Sequence, residues 1–327
     1  MRETVGVDMT SPLLALPGAV AGEGIDAPVA AHYGSFHGEQ RALEAGEGFV
    51  DLSHRGVVRV SGPDRLDYLH SLTTQYFLGL EPGTPTAALV LSPQGHVEHA
   101  MYGVDDGEAF TAHVEPGAAP ALVEFLDKMR FMMRVEVSDV TDELAVAWRP
   151  ATVGRAESRP GKYDLVPRTE LPAYAGAVGP AAGTWAFEAL RIARGEPRFG
   201  VDTDHRTIPN EVGWIPGAVH LDKGCYRGQE TVARVHTLGR PPRRLTLLHL
   251  DGSDNRLPAQ GSAVVLDGRE VGFVGSSARH HELGPIALGL LKRNVPPDAT
   301  LLADGIAAGQ EVVVDPEVGL HVRPQLG

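Results

Sequence analysis

The densest chemistry in this chain lies in eight consecutive residues, Lys223-Gly224-Cys225-Tyr226-Arg227-Gly228-Gln229-Glu230. Cys225 is the single cysteine among 327 residues, and it stands between Lys223 and Arg227. Nearby cations favour the thiolate, the form that attacks electrophiles and binds metals. Gly224 and Gly228 permit backbone conformations or close approaches that a side chain would block. Gln229 and Glu230 can open a helix, with Glu230 favourable against its positive end. Free cysteine is also among the most buried residue types, so packing is the competing reading of the same thiol. One cysteine excludes an intrachain disulfide, a four-cysteine zinc site and an iron–sulfur cluster held by this chain's cysteines alone. It fits a reducing compartment and an expected cytoplasmic location.

Other polar residues carry weaker signals. Among 14 histidines, His96 and His99 are three apart, so on a strand they face opposite sides, and His280-His281 fall in an expected loop. Neither pair has a companion carboxylate at ligand spacing, so no dedicated metal site is expected. His54 either lines a cavity or is a core histidine bonded to backbone. Ser53 and Ser92 lack a His/Asp arrangement for a hydrolase. Gly272 and Gly275 lie in a strand pattern with no following helix, so they are no dinucleotide fingerprint.

The elements that must position these residues follow from periodicity. Helices are expected over 39–45, after Ser61-Gly62-Pro63-Asp64 with Leu66, Leu69 and Leu72 in a stripe, over 118–131, and over 184–194. Strands are expected at 57–60, at 87–91 and 97–104 around the turn Ser92-Pro93-Gln94-Gly95, at 135–137 and at 144–148. The stretch 150–160 reads as a loop. Residues 198–217 are irregular and polar, and loops that long usually carry function. Beyond Pro241-Pro242 the pattern is strand-like at 245–250, 263–266, 270–274, 286–291 and 312–315, with a hairpin turn at Asp267-Gly268. This part is expected to form a small β-barrel.

Lys+Arg 29 against Asp+Glu 42 leaves a formal charge of −13. That argues against direct nucleic-acid binding, including a groove near Arg240, Arg243 and Arg244, and against an anionic membrane surface. No apolar run reaches the ~20 residues of a membrane span. The run Leu13–Leu16 is broken by Pro17, and Arg2 is offset by Glu3 and Asp8, unlike a secretory signal; residues 1–28 are expected to be a flexible tail.

The octet resembles the signature of the YgfZ-type folate-binding proteins, Lys-Gly-Cys-Tyr, any residue, Gly-Gln-Glu. Seven positions match, with Arg227 at the variable one. Val232-Ala233-Arg234 and Gly239 continue the likeness, as do Leu190-Arg191-Ile192, Gly195, Pro197 and Ile208-Pro209-Asn210-Glu211 upstream. A wider similarity, from about Tyr33 to about Lys292, is to the aminomethyltransferase (T-protein) of the glycine cleavage system. It is carried by Gly48-Phe49-Val50-Asp51-Leu52-Ser53-His54, by Val271–Ser276 and by Pro285–Gly289. The resemblance implies an α+β, T-protein-like fold: two interlocked α+β subdomains around a central folate cavity over 29–239, then a C-terminal β-barrel over 240–327. Tetrahydrofolate, or a one-carbon derivative, is the implied cofactor. Arg191 and Arg234 are candidate contacts for it, each equally readable as a surface ion pair, and Glu98 and His99 are candidates on the strand after Gly95.

Departures separate the two relatives. The T-protein carries paired Asp where this chain has Glu98 and His99, and a Glu where it has Ala193. One-carbon transfer from an amine needs a carboxylate to handle the proton, which Ala193 cannot supply. The resemblance therefore implies a tetrahydrofolate-binding accessory protein for assembly, maintenance or repair of iron–sulfur enzymes, affecting tRNA modification through cluster-bearing enzymes. Cys225 is its key thiol. Its partners are folate and iron–sulfur enzymes or assembly proteins. The alternatives are a folate-dependent aminomethyl- or methyltransferase using Glu98, and a non-catalytic folate-sensing docking module.

Overall fold

The structure is a computed structural model and describes residues 9–151, 161–253 and 255–320. The loop expected at 150–160 lies, from residue 152 on, outside the described residues, as do Arg2, Glu3 and Asp8. Six α-helices occur among the described residues: α1 Phe36–Glu44, α2 Arg65–Leu72, α3 Ala119–Met129, α4 Leu171–Val178, α5 Thr184–Ala193 and α6 Gln229–Leu238. The chain divides into two compact units, each assembled from separate stretches. Of the described residues, one unit holds 9–59, 113–127, 137–151 and 161–190; the other holds 60–112, 128–136, 191–253 and 255–320.

The first unit carries a four-stranded sheet in the order 162–167, 144–149, 49–51, 181–182. Strand 162–167 pairs antiparallel with 144–149, and 181–182 pairs parallel with 49–51. Leu43, Val50, Leu52, Val146, Trp148 and Phe187 form one core on this sheet, each at most 3 % exposed. Residues 9–28 differ from the expected tail. They contain two 3-10 turns and a short strand, 20–21, paired with 30–32. Leu13 is the reason: it is buried in a second core with Phe49 and Leu171, while the Ser11 hydroxyl donates to the buried Asp51 carboxylate.

The second unit carries the antiparallel pair 86–91 and 97–105, joined by the expected Ser92–Gly95 turn, with the Ser92 amide donating to the His96 carbonyl. Its C-terminal part is a closed six-stranded barrel in the order 243–250, 284–292, 269–280, 263–266, 301–303, 306–312. Closure requires 243–250 to pair on both edges, with 284–292 and with 306–312. Leu248, Val264, Val274, Leu291, Leu301 and Ile306 fill the interior, all but fully buried. Asp267-Gly268 turns the hairpin with both φ values positive, as that two-residue turn demands. The strand expected at 312–315 ends instead at Val312 and begins at Ile306.

Candidate functional site

The Cys225 segment lies wholly in the second unit. Helix α2 ends at Leu72, and the chain then runs through Thr73-Thr74-Gln75. Thr74 is fully buried and bonds in two directions. Its amide donates to the Leu89 carbonyl at 3.0 Å and its Oγ1 accepts from the Leu89 amide at 3.0 Å, which joins the segment to strand 86–91. The same Oγ1 donates to the Ala218 carbonyl at 2.6 Å, and the His220 amide donates to the Thr74 carbonyl at 2.9 Å. Gln75 Nε2 adds bonds to the Gly217 and Ala87 carbonyls. Residues 217–220 are therefore stitched to the chain just past α2.

Lys223 completes this seam. Its ammonium donates to the carbonyls of His70, Thr73 and Gln75. The first two are carbonyls at the C-terminal end of α2, where the helix dipole favours a cation. Burial lowers the Lys223 pKa to about 8. The Tyr226 ring lies 5.3 Å from the Lys223 Nζ, and burial raises that phenol to about 12. His70 and His220 flank the exposed Tyr76 ring at 5.0 and 5.2 Å. Burial, then the Lys223 charge, lowers the His70 pKa.

The segment is also fixed downstream. Gly228 caps α6 with φ +81, and a Cβ there would lie 2.5 Å from the Ser92 carbonyl and 2.9 Å from Gly95 Cα. Gly95, at φ +85, would in turn push a Cβ to 2.7 Å from Thr231. The two glycines let the 92–95 turn and the start of α6 meet backbone to backbone. Arg227 donates to Glu98 at 2.9 Å, both side chains being about a third exposed. Between these supports Gly224 and Cys225 are exposed, and a Cβ added at Gly224 would meet nothing within 4 Å.

The structure thus brings together Lys223, Gly224, Cys225, Tyr226, Arg227, Gly228 and Glu98. The cations that flank the thiol in sequence are both engaged: Lys223 with carbonyls, Arg227 with Glu98. His99 is half-buried on strand 97–105, and burial lowers its pKa while Glu98 opposes. Gln229 and Glu230 open α6 as expected, and Arg234 is exposed on it with no ion pair among the described residues. Arg191 lies elsewhere in the unit, 2 % exposed, bonded to Asp202 at 2.9 Å and to the Glu196 carbonyl. Asp202 also accepts from the Arg198 amide, the Ser276 amide and the Ser276 hydroxyl at 2.7–2.8 Å. Glu211 of the Ile208–Glu211 motif is buried and paired with Arg243, which also binds Asp204. Sequence reasoning missed Thr73, Thr74 and Gln75, whose one signal is a polar run directly after the α2 leucine stripe. His54, in the first unit, is buried and bonds Asp26 through Nε2 at 2.8 Å. A cavity of about 590 Å³ in that unit is lined by Gly46, Arg149, Lys162 and Pro180 among others, and by no residue of the Cys225 segment.

No family profile matches the chain. A chloroplastic putative transferase of Arabidopsis thaliana is 26% identical over 322 residues, covering 85% of this chain and 72% of its own length. A mitochondrial iron–sulfur cluster assembly factor IBA57 homologue of Mycosarcoma maydis is 27% identical, over 60% of this chain and 56% of its own length. An aminomethyltransferase of Thermotoga neapolitana is 26% identical over 81% of this chain and 84% of its own. Among solved structures, the glycine cleavage system aminomethyltransferase T of Bartonella henselae superposes with a TM-score of 0.76 over 94% of this chain and 96% of that one, at 18% identity. The fold is that of the T-protein, with its mixed α/β sheets and closed C-terminal barrel. At this low identity the chain is similar both to IBA57-type assembly factors and to aminomethyltransferases.

Proposed function

We propose that this protein binds tetrahydrofolate or a one-carbon derivative and supports the assembly, maintenance or repair of iron–sulfur enzymes, with Cys225 as its working thiol. The observation that carries the reading is the presentation of that thiol. Cys225 is exposed on a short segment held on both sides, on a chain whose relatives include iron–sulfur cluster assembly factors. A single thiolate suits transient contact with a cluster iron or an electrophile and cannot house a cluster by itself. Effects on tRNA modification follow through enzymes that carry clusters.

The folate part rests on the T-protein fold and on Glu98, His99 and Arg234 in the same unit. Arg191 supports it less directly, because its guanidinium is held by Asp202. Two features disfavour aminomethyl transfer. Ala193 stands where the T-protein has a carboxylate, and the Glu98 carboxylate accepts from Arg227. A base must be free to take the amine proton.

Two measurements test the reading. In cells lacking the native protein, Cys225→Ala is expected to leave cluster-dependent enzymes impaired; full rescue by the variant overturns the thiol's role. Calorimetric titration with tetrahydrofolate is expected to show binding; none at millimolar ligand removes the cofactor. Turnover of a methylamine donor that is lost in Glu98→Gln would instead establish the transferase.

A further inference from the structure

Cys225 is the crown of a short arch. One foot is Lys223, whose three acceptors belong to residues 148 to 153 positions earlier in the chain. The other is Gly228, pressed against the Ser92–Gly95 turn. Nothing in that geometry directs the Lys223 ammonium to the thiol, because its hydrogens are taken up by backbone oxygens. A lysine has three donors, and three carbonyls receive them.

We propose that Lys223 is a positioning residue for Cys225: it plugs the arch into the C-terminal end of α2 through three backbone carbonyls and does not act as the thiol's charge partner. This rests on the reading of Cys225 as the working thiol. The arch has no secondary structure of its own between Lys223 and Gly228, so the plug determines where the sulfur stands. The groups that face Lys223 fit the assignment. They are His70 on α2, whose pKa the Lys223 charge lowers, and Tyr226 within the arch. The last covers the ammonium with a ring and offers it no charge.

The roles differ in a measurable way. Alkylation of Cys225 by iodoacetamide across pH 6–10 reports both the thiol's titration midpoint and its limiting rate. Amide hydrogen exchange over residues 217–226 reports the seating of the arch. A charge partner within reach shifts a midpoint by about one unit or more. A plug leaves the midpoint alone and controls local opening. Lys223→Met is expected to accelerate exchange across 217–226 about tenfold or more and to change the limiting alkylation rate severalfold, with the midpoint unmoved. Lys223→Arg, which keeps the donors, should restore part of the protection. Thr74→Val keeps the ammonium but removes the bonds to Ala218 and Leu89, and is expected to loosen the same residues with the midpoint again unmoved. If Lys223→Met fails to fold, Lys223→Gln, which removes the charge but keeps an amide donor, takes its place with the same expected midpoint. A midpoint raised by about one unit, or exchange unchanged in both Lys223→Met and Thr74→Val, overturns the proposal. Full rescue by Cys225→Ala in cells would remove the function of the thiol and leave these measurements standing.

Discussion

Two buried charges in one unit are held in opposite ways. Asp202 sits with its side chain wholly out of solvent and meets a full cation, Arg191, together with one amide and both donors of Ser276. Lys223 meets no opposite charge, only neutral carbonyls at and just past a helix end and the Tyr226 ring. The first arrangement ties Arg191 and the loop after it to the barrel strand 269–280. Gly275 shows how tight that joint is, since a Cβ there would lie 2.2 Å from Asp202 Oδ1. The second holds a short exposed segment by dipoles. The contrast separates a joint that builds the unit from a seat that holds its reactive residue.

Substitutions can break or sharpen this contrast, and their sizes should fall in order. Asp202→Ala leaves Arg191 buried without its partner and is expected to cost about 3–5 kcal/mol in chemical denaturation. Arg243→Ala should cost somewhat less, about 2–3 kcal/mol, because Glu211 is buried but Asp204 is partly exposed and rehydrates. Arg243 also sets an acid window. Burial pushes the Asp204 pKa up, but bonds from Arg243 and Thr207 outweigh it and bring the group to about 2, below its ordinary 3.8. The unfolded chain therefore binds the proton first, and the stability from Asp204 is present above pH 4 and lost as pH falls toward 2. Arg243→Ala should flatten that loss in acid titrations followed by circular dichroism.

Lys223→Met is expected to cost only about 1–2 kcal/mol, the range for lost hydrogen bonds to a charged donor. Its pH dependence has the same sign but falls in the alkaline range. With the folded pKa at about 8 and the ordinary value at 10.5, the unfolded chain holds more protons between them. The wild type should gain stability relative to the variant as pH rises from 8 to about 10.5. Smallest of all, Arg227→Ala removes a solvent-exposed pair with Glu98 and should change stability by about 0.5 kcal/mol or less. A cost comparable to that of Arg243→Ala would show that the arch is joined rather than seated.

Local sequence foretold the elements whose boundaries carry turn chemistry. The strands at 86–91 and 97–105 were expected almost to the residue, because Ser92-Pro93-Gln94-Gly95 marks the turn. Helix α6 starts where Gly228 and Glu230 place it. Helix α4 and strand 162–167 were not expected. The barrel strand 306–312 was placed too late because Ala307, Ala308 and Gly309 give it no bulky alternation. Helix α3 stops at Met129, short of the expected end, and Phe131 follows at φ +46. At the site, the octet showed which residues would meet. It was silent on where Lys223 and Arg227 point, since their partners come from α2 and from strand 97–105, more than 120 positions away.

The contact of Gly95 with Gly228 has a genetic consequence. A side chain at Gly228 meets the backbone of Ser92 and Gly95, and one at Gly95 meets the Thr231 side chain first and the Gly228 carbonyl next. In a library of random substitutions the two positions should be intolerant together although 133 residues separate them. Second-site revertants of Gly95→Ala should cluster at Thr231, the side chain that its new methyl would strike. A pair of invariant positions so far apart would then mark one crossing point of the backbone.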